Sequence, residues 1–251
     1  MLYREILRPQ AATLFDVLGA SPELQGLTLI GGTALALQLG HRSSLDFDFA
    51  TFGGTLPGFQ IDRLIDRLKH EGHAAQMITS QQQISQFRIN RGSNLLDHAR
   101  DYVVNGVKIT FFVHGKTETQ EAFYQKADKV RPDGFCFDLL GIEGLKAAKT
   151  LVLADRIKSR DLYDLYTLMH KQHYTLEQLF STVQSLGTID DPEYYKAIMR
   201  GEIALDTDDE GLEPIALGDA YQLMYDYFNQ AIDEYETALA KAYFLSGHRK
   251  P

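Results

Sequence analysis

The sequence predicts an α+β protein: a sheet flanked by helices in the first half of the chain, and helices alone in the second. Three observations predict this. Residues 27–49 read as strand, helix, strand, with Gly31-Gly32 at the first junction. Asn105-Gly106 lies between two apolar runs, the signal of a type I′ hairpin turn. From residue 139 onward, apolar residues recur at helical spacing. The expected division is a mixed α/β domain over residues 1–130 and a helical domain over 131–251.

In order along the chain, residues 4–18 carry helical apolar spacing (Ile6, Leu14, Phe15, Leu18), with Pro9 marking a first helical turn. Ser21-Pro22 opens a short helix before the strand at 27, and this lead-in is expected to pack on the sheet. In the unit 27–49, a helix runs from Thr33 to about Leu39, and the returning strand carries Asp46 and Asp48. The turn-rich segment 50–59 precedes a helix over 60–71, whose Ile61, Leu64, Ile65 and Leu68 form one face. Residues 74–79 and 84–89 read as strands around a polar connection, with helix left open for the second. The hairpin strands are expected over 101–104 and 107–113, with Val107, Ile109, Phe111 and Val113 on one face and Lys108, Thr110 and Phe112 on the other. A charged connection, 114–136, leads to two helices that meet near 154–158. Short helices are expected over 176–186 and 192–199, then a solvated acidic loop, DTDDEGLEPI. A last helix over 217–245 has a stripe from Tyr221 to Tyr243 that reads as core packing.

Composition sets limits on function. The chain of 251 residues has 44% hydrophobic and 24% charged residues, as an ordinary globular protein does. No apolar run reaches membrane-span length, and the polar start MLYREILRPQ lacks the apolar centre of a signal peptide, so a cytoplasmic location is expected. The single Cys136 is expected to be a buried thiol. A net charge of −9 argues against sequence-independent binding to a long nucleic-acid duplex. A nucleotide, a short acceptor or a local basic groove remains compatible with it.

The chemistry-bearing candidates lie in the 27–49 unit. Side chains alternate along a strand, so Asp46 and Asp48 share a face opposite Leu45, Phe47 and Phe49. Two adjacent carboxylates repel unless a cation or hydrogen-bond donors neutralise them, and a hard divalent cation completed by waters and phosphates is the usual neutraliser. Gly31 and Gly32 permit close backbone approach to a ligand, and Thr33 opens a helix whose N-terminal amides favour an anion. Taken singly, Gly-Gly-Thr is most often a tight turn with Thr as N-cap, and Asp-x-Asp a solvated strand face. Later in the chain, Asp161 and Asp164 are neighbours on a helix surface, either a functional pair or one balanced by Arg160 and Lys158.

Together, GGTALALQLGHRSSLDFDF (residues 31–49) resembles the first motif of the AbiEii toxin family, within the polymerase-beta-like nucleotidyltransferase superfamily, and RIKSRDLYDL (156–165) with Lys146-x-x-Lys149 resembles its later motifs. The resemblance implies a nucleotidyltransferase-like mixed sheet flanked by helices and followed by a C-terminal helical domain. It further implies a Mg2+ or Mn2+ ion on Asp46 and Asp48, and a nucleoside triphosphate as substrate. Gly31, Gly32 and Thr33 would cradle phosphate. Lys146, with Lys149 as second choice, becomes the phosphate-binding lysine. Asp161 and Asp164 become carboxylates that act on the acceptor hydroxyl, and Arg160 is a phosphate contact or their structural partner. The implied acceptor is an RNA, such as a transfer RNA 3′ end, and the implied setting is a toxin with a cognate antitoxin. One departure stands out. The family's hairpin strand often carries a third carboxylate where this chain has Thr110. The alternative reading is therefore a catalytically degenerate module that binds a nucleotide or a partner.

Overall fold

Why the first half folds as it does follows from where its breaks and alternations fall. Residues 2–215, 217, 218 and 220–246 are described in the computed structural model. Pro9 starts helix α1 (Pro9–Gly19) at a position where its missing N–H removes no bond, and Leu14, Phe15 and Leu18 turn inward. Strand β1 (Thr28–Ile30) leads straight into α2 (Gly31–Leu39), which Gly40 ends in the left-handed conformation. Strand β2 (Asp46–Phe52) then returns antiparallel to β1, with Ile30 opposite Asp48. Helix α3 (Gly58–His70), strand β3 (Ala75–Met77) and helix α4 (Gln81–Arg91) precede the hairpin of β4 (Ala99–Val104) and β5 (Val107–His114). At its tip Asn105 and Gly106 have φ of 49° and 81°, as a type I′ turn requires. Helix α5 (Glu118–Lys126) and strands β6 (Lys129–Val130) and β7 (Asp138–Leu140) follow.

The strands form a seven-stranded sheet in the order β3-β4-β5-β2-β1-β7-β6. It is mixed, since β2 pairs parallel with β5 and β1 with β7, while the remaining pairs are antiparallel. Alternation sorts its two faces. Phe47, Phe49, Ile109 and Phe111 are fully buried; Phe15 of α1 stacks on Phe47 at 5.8 Å, and Phe137 meets Phe49 edge-on at 4.9 Å. The opposite face of β2 and β5 carries Asp46, Asp48, Lys108 and Thr110. The expected split of side chains between the two faces is the one observed.

Packing divides the chain into two compact units, Met1–Leu145 and Lys146–Pro251. In the second, α6 (Ile142–Leu151), which begins before the division, leads to α7 (Ser159–Gln172), α8 (Leu176–Leu186), α9 (Pro192–Met199) and α10 (Ala220–Leu245). Leu162, Leu165 and Leu168 of α7 are fully buried. Tyr227 of α10 meets Tyr166 of α7 edge-on at 5.2 Å, and Tyr235 meets Phe180 of α8 at 5.3 Å. Among the described residues no helix is long and apolar enough to cross a membrane.

Four local expectations need correction. Residues 84–89 lie within helix α4, because Ser80 and Gln83 form a capping box at its start and Gly92 closes it left-handed. The connection 114–136 holds α5 and β6, with Thr117 capping the helix through the Gln120 amide. Cys136 is half-buried. The stripe of α10 enters the core only through Met224, Phe228 and Ile232; Leu239 and Tyr243 are 51% and 53% exposed, since the helix outruns the shorter helices it packs on.

Candidate active site

The strand, helix, strand unit brings the first set of candidates together. Gly31 has φ of 73°, and a Cβ built on it would sit 2.8 Å from Asp48 Oδ2. Only glycine therefore lets the start of α2 lie against the Asp48 carboxylate. The first amides of α2, from Gly31, Gly32 and Thr33, have no carbonyl partner within the helix and carry its positive dipole end. Thr33 itself is buried, and its hydroxyl is spent inside the fold: it donates to the Asp46 carbonyl and lies 2.5 Å from Ser44 Oγ. Its side chain thus ties α2 to β2, and its backbone amide is what it can offer a ligand.

Asp46 and Asp48 are half-buried on the polar face of the sheet. In the parallel register, Asp46 faces Lys108 and Asp48 faces Thr110; on the far side of β5, Thr110 faces Asp101. The Thr110 hydroxyl donates to Asp101 Oδ1 at 2.8 Å, and Lys108 Nζ is 3.6 Å from the same oxygen. The sequence reading did not single out Asp101. The signal was there, since a two-residue turn at Asn105-Gly106 pairs Val104 with Val107, and counting outward sets Asp101 against Thr110.

A second cluster sits in the helical unit and is of a different kind. Lys149 Nζ reaches Asp161 Oδ1 and Asp164 Oδ2, each at 2.7 Å, and Arg156 Nε reaches Asp161 Oδ2 at 2.8 Å. Asp164, Asp161 and Lys149 side chains are only 0%, 4% and 6% exposed. Burial pushes the Asp161 carboxyl up, but Lys149 and Arg156 outweigh it and hold the group below its ordinary range. Lys146 is buried as well, with its ammonium 5.4 Å from the centre of the Tyr174 ring.

The acidic loop keeps Asp208 and Glu210 largely in solvent, their side chains 76% and 63% exposed, as expected, and is also fastened to the start of α7. The Ile157 amide donates to Asp206, the Ser159 amide and hydroxyl donate to Asp209, Lys158 pairs with Asp208 at 2.8 Å, and Arg160 pairs with Glu210 at 3.0 Å. Carboxylates at a helix N-terminus satisfy its open amides and suit its dipole. Arg160 therefore has a structural partner, Glu210, in place of Asp161 or Asp164.

Among the described residues no three His, Cys, Asp or Glu side chains form a metal-holding group. A pair of carboxylates still fits an ion of the Mg2+ or Mn2+ class, which keeps waters and takes phosphate oxygens in its remaining positions. The glycine at residue 31, which lets the start of α2 close on Asp48 with no side chain between them, agrees with that fit.

Comparison with known proteins adds to this. The chain is 26% identical over 212 residues to protein aq_aa25 of Aquifex aeolicus (strain VF5), covering 82% of this chain and 86% of that one. It is also similar to the crystal structure of JHP933 from Helicobacter pylori, at 19% identity and a TM-score of 0.44, over 94% of this chain and 99% of that one. A family model of the nucleotidyl transferase AbiEii toxin of type IV toxin–antitoxin systems matches residues 12–241, which takes in both the Gly31–Asp48 arrangement and the helical unit. The chain belongs to the AbiEii nucleotidyltransferase toxin family.

Proposed function

We propose that the protein transfers a nucleoside monophosphate from a nucleoside triphosphate to an acceptor hydroxyl, with Mg2+ or Mn2+, and that it acts in the cytoplasm as a toxin opposed by a cognate antitoxin. The observation that carries this is the pairing of two strand carboxylates with a glycine-opened helix N-terminus pressed against one of them. Asp46 and Asp48 would hold the cation, and the amides of Gly31, Gly32 and Thr33 would receive phosphate oxygens. When bound, the cation neutralises charge on the phosphates and on the departing group. The acceptor oxygen bonds to the α-phosphorus as the bond to the β-phosphate oxygen breaks; pyrophosphate leaves with that electron pair, and the acceptor hydroxyl's proton passes to water.

Lys146 remains the proposed phosphate lysine. The buried, doubly paired Lys149 suits a positioning role in which it and Asp161 and Asp164 hold one another, and a carboxyl kept as acidic as that of Asp161 suits binding better than proton abstraction. An RNA acceptor, a transfer RNA 3′ end among the possibilities, follows from the family and is part of the proposal.

Incubating the intact protein with Mg2+, each of the four labelled nucleoside triphosphates in turn, and total RNA tests the reading. Label is expected in RNA with at least one nucleotide; absence of transfer with all four would sink it. Thr110 favours a second reading, a module that binds nucleotide without turnover. Calorimetry beside the labelling assay separates the two, because binding without transfer supports only the second.

A further inference from the structure

One row of side chains crosses three strands on the polar face of the sheet. Asp48 on β2 stands in register with Thr110 on β5, and Thr110 with Asp101 on β4. Residues in register share a face, so the row spans about 10 Å, two strand spacings. A threonine hydroxyl has one proton and two acceptor lone pairs. With its proton committed to Asp101 Oδ1 at 2.8 Å, Thr110 presents acceptor lone pairs to the space beside Asp48. Asp101 is itself fixed through its backbone: its amide donates to Thr79 Oγ1 at 2.8 Å, and its carbonyl accepts the Ile78 N–H at 2.9 Å. Lys108 Nζ lies 3.6 Å from the same carboxylate oxygen.

We propose that Thr110 and Asp101 form a positioning dyad for the cation held by Asp46 and Asp48. Thr110 Oγ1 accepts a hydrogen bond from a water in the solvent shell of that cation, while Asp101 sets the polarity of the hydroxyl and adds negative charge at one remove. The inference rests on the reading of Asp46 and Asp48 as the cation ligands. It does not make Asp101 a ligand, in keeping with the absence of a three-carboxylate group among the described residues.

The probe is Mn2+ alone, titrated into the intact protein and followed by the electron paramagnetic resonance of the free ion. Asp101→Asn removes one charge about two strands away, and the expected weakening of Mn2+ binding is roughly fivefold. Thr110→Val weakens binding in the same direction, and Thr110→Ser retains it because the hydroxyl is kept. A hydrogen bond that served only the hairpin would lower the melting temperature of both variants and leave the Mn2+ affinity of the folded protein unchanged. That result overturns the dyad. Asp48→Asn distinguishes the underlying reading: undiminished Mn2+ binding there removes the strand pair as the ion's site, whatever Asp101→Asn does.

Discussion

Two pairs of aspartates, one on a strand and one on a helix, use the same side chain to opposite ends. Asp161 and Asp164 are three apart on α7 and buried, with Lys149 between them and Arg156 on the outer oxygen. Asp46 and Asp48 are two apart on β2 and half-buried, with a glycine cleared from the front of one and a hydroxyl and an ammonium across the strand. The helical pair is buried with its counter-charge, while the strand pair keeps enough exposure to meet a cation from solution. Charge already neutralised in the interior serves structure; charge left accessible to an ion can serve chemistry. Perturbing the two pairs should therefore move different observables.

The largest effect is expected from Lys149→Ala. It leaves Asp161 with Arg156 alone and takes from the buried Asp164 the ion pair that Lys149 supplies, and breaking a buried pair from one side costs about 3–5 kcal/mol. Urea unfolding at neutral pH measures it, with Lys149→Leu/Asp161→Leu/Asp164→Leu as the companion, which should recover most of the loss. A Lys149→Ala protein as stable as the parent would remove the distinction between the pairs.

Next come Asp46→Asn and Asp48→Asn. Each should reduce nucleotidyl transfer by roughly 10²–10³-fold, the size seen when one preorganised electrostatic contact is lost. Stability should move far less than on breaking the buried helical pair, by about 1 kcal/mol or less. A fall in stability with transfer intact would make the strand pair the structural one. Gly31→Ala should be felt in both observables: a left-handed backbone and a Cβ 2.8 Å from Asp48 Oδ2 should cost about 1–3 kcal/mol and weaken Mn2+ binding with it. Unchanged Mn2+ affinity in that variant would separate the glycine from the carboxylate it faces.

The same contrast explains what could be read before the structure. The strand pair and its glycines lie within one short segment, so alternation and turn chemistry alone predict their shared setting. The Asn105-Gly106 turn fixes its own register, and the facing of Thr110 and Asp101 follows by counting; what counting does not give is the hydrogen bond between their side chains. The helical pair was less legible. Its meaning depends on Lys149, 12 positions before Asp161 and on another helix, and no local pattern says that α6 and α7 bring them to 2.7 Å. The anchoring of the acidic loop at 206–210 was illegible for the same reason, since its partners, residues 157–160, lie some 50 positions earlier. In residues 84–89, apolar spacing fitted strand and helix alike, and the decisive information was the cap at Ser80.

The smallest effect offers the sharpest test of what holds Asp161 ionised. Its folded carboxyl titrates below the ordinary value of 3.8. On acidification the unfolded chain thus takes up the proton first, and the stabilisation from this charge is complete above that ordinary value and lost as pH falls through the folded one. Arg156, with a side chain 51% exposed, supplies the solvent-screened part of the field, so Arg156→Gln should cost at most about 1 kcal/mol near neutrality. It should also raise the folded carboxyl's titration, because burial acts unchanged while one of two cations is gone. The stability gap between parent and variant should hold from pH 8 to 6 and close only once the pH has fallen through the folded carboxyl's own titration, below 3.8. Chemical unfolding, with the Asp161 carboxyl followed by NMR in the same samples, reads the gap directly. A gap that persists after that carboxyl is protonated in both proteins would mean that Arg156 stabilises through packing of its stem, leaving Lys149 alone to keep Asp161 charged.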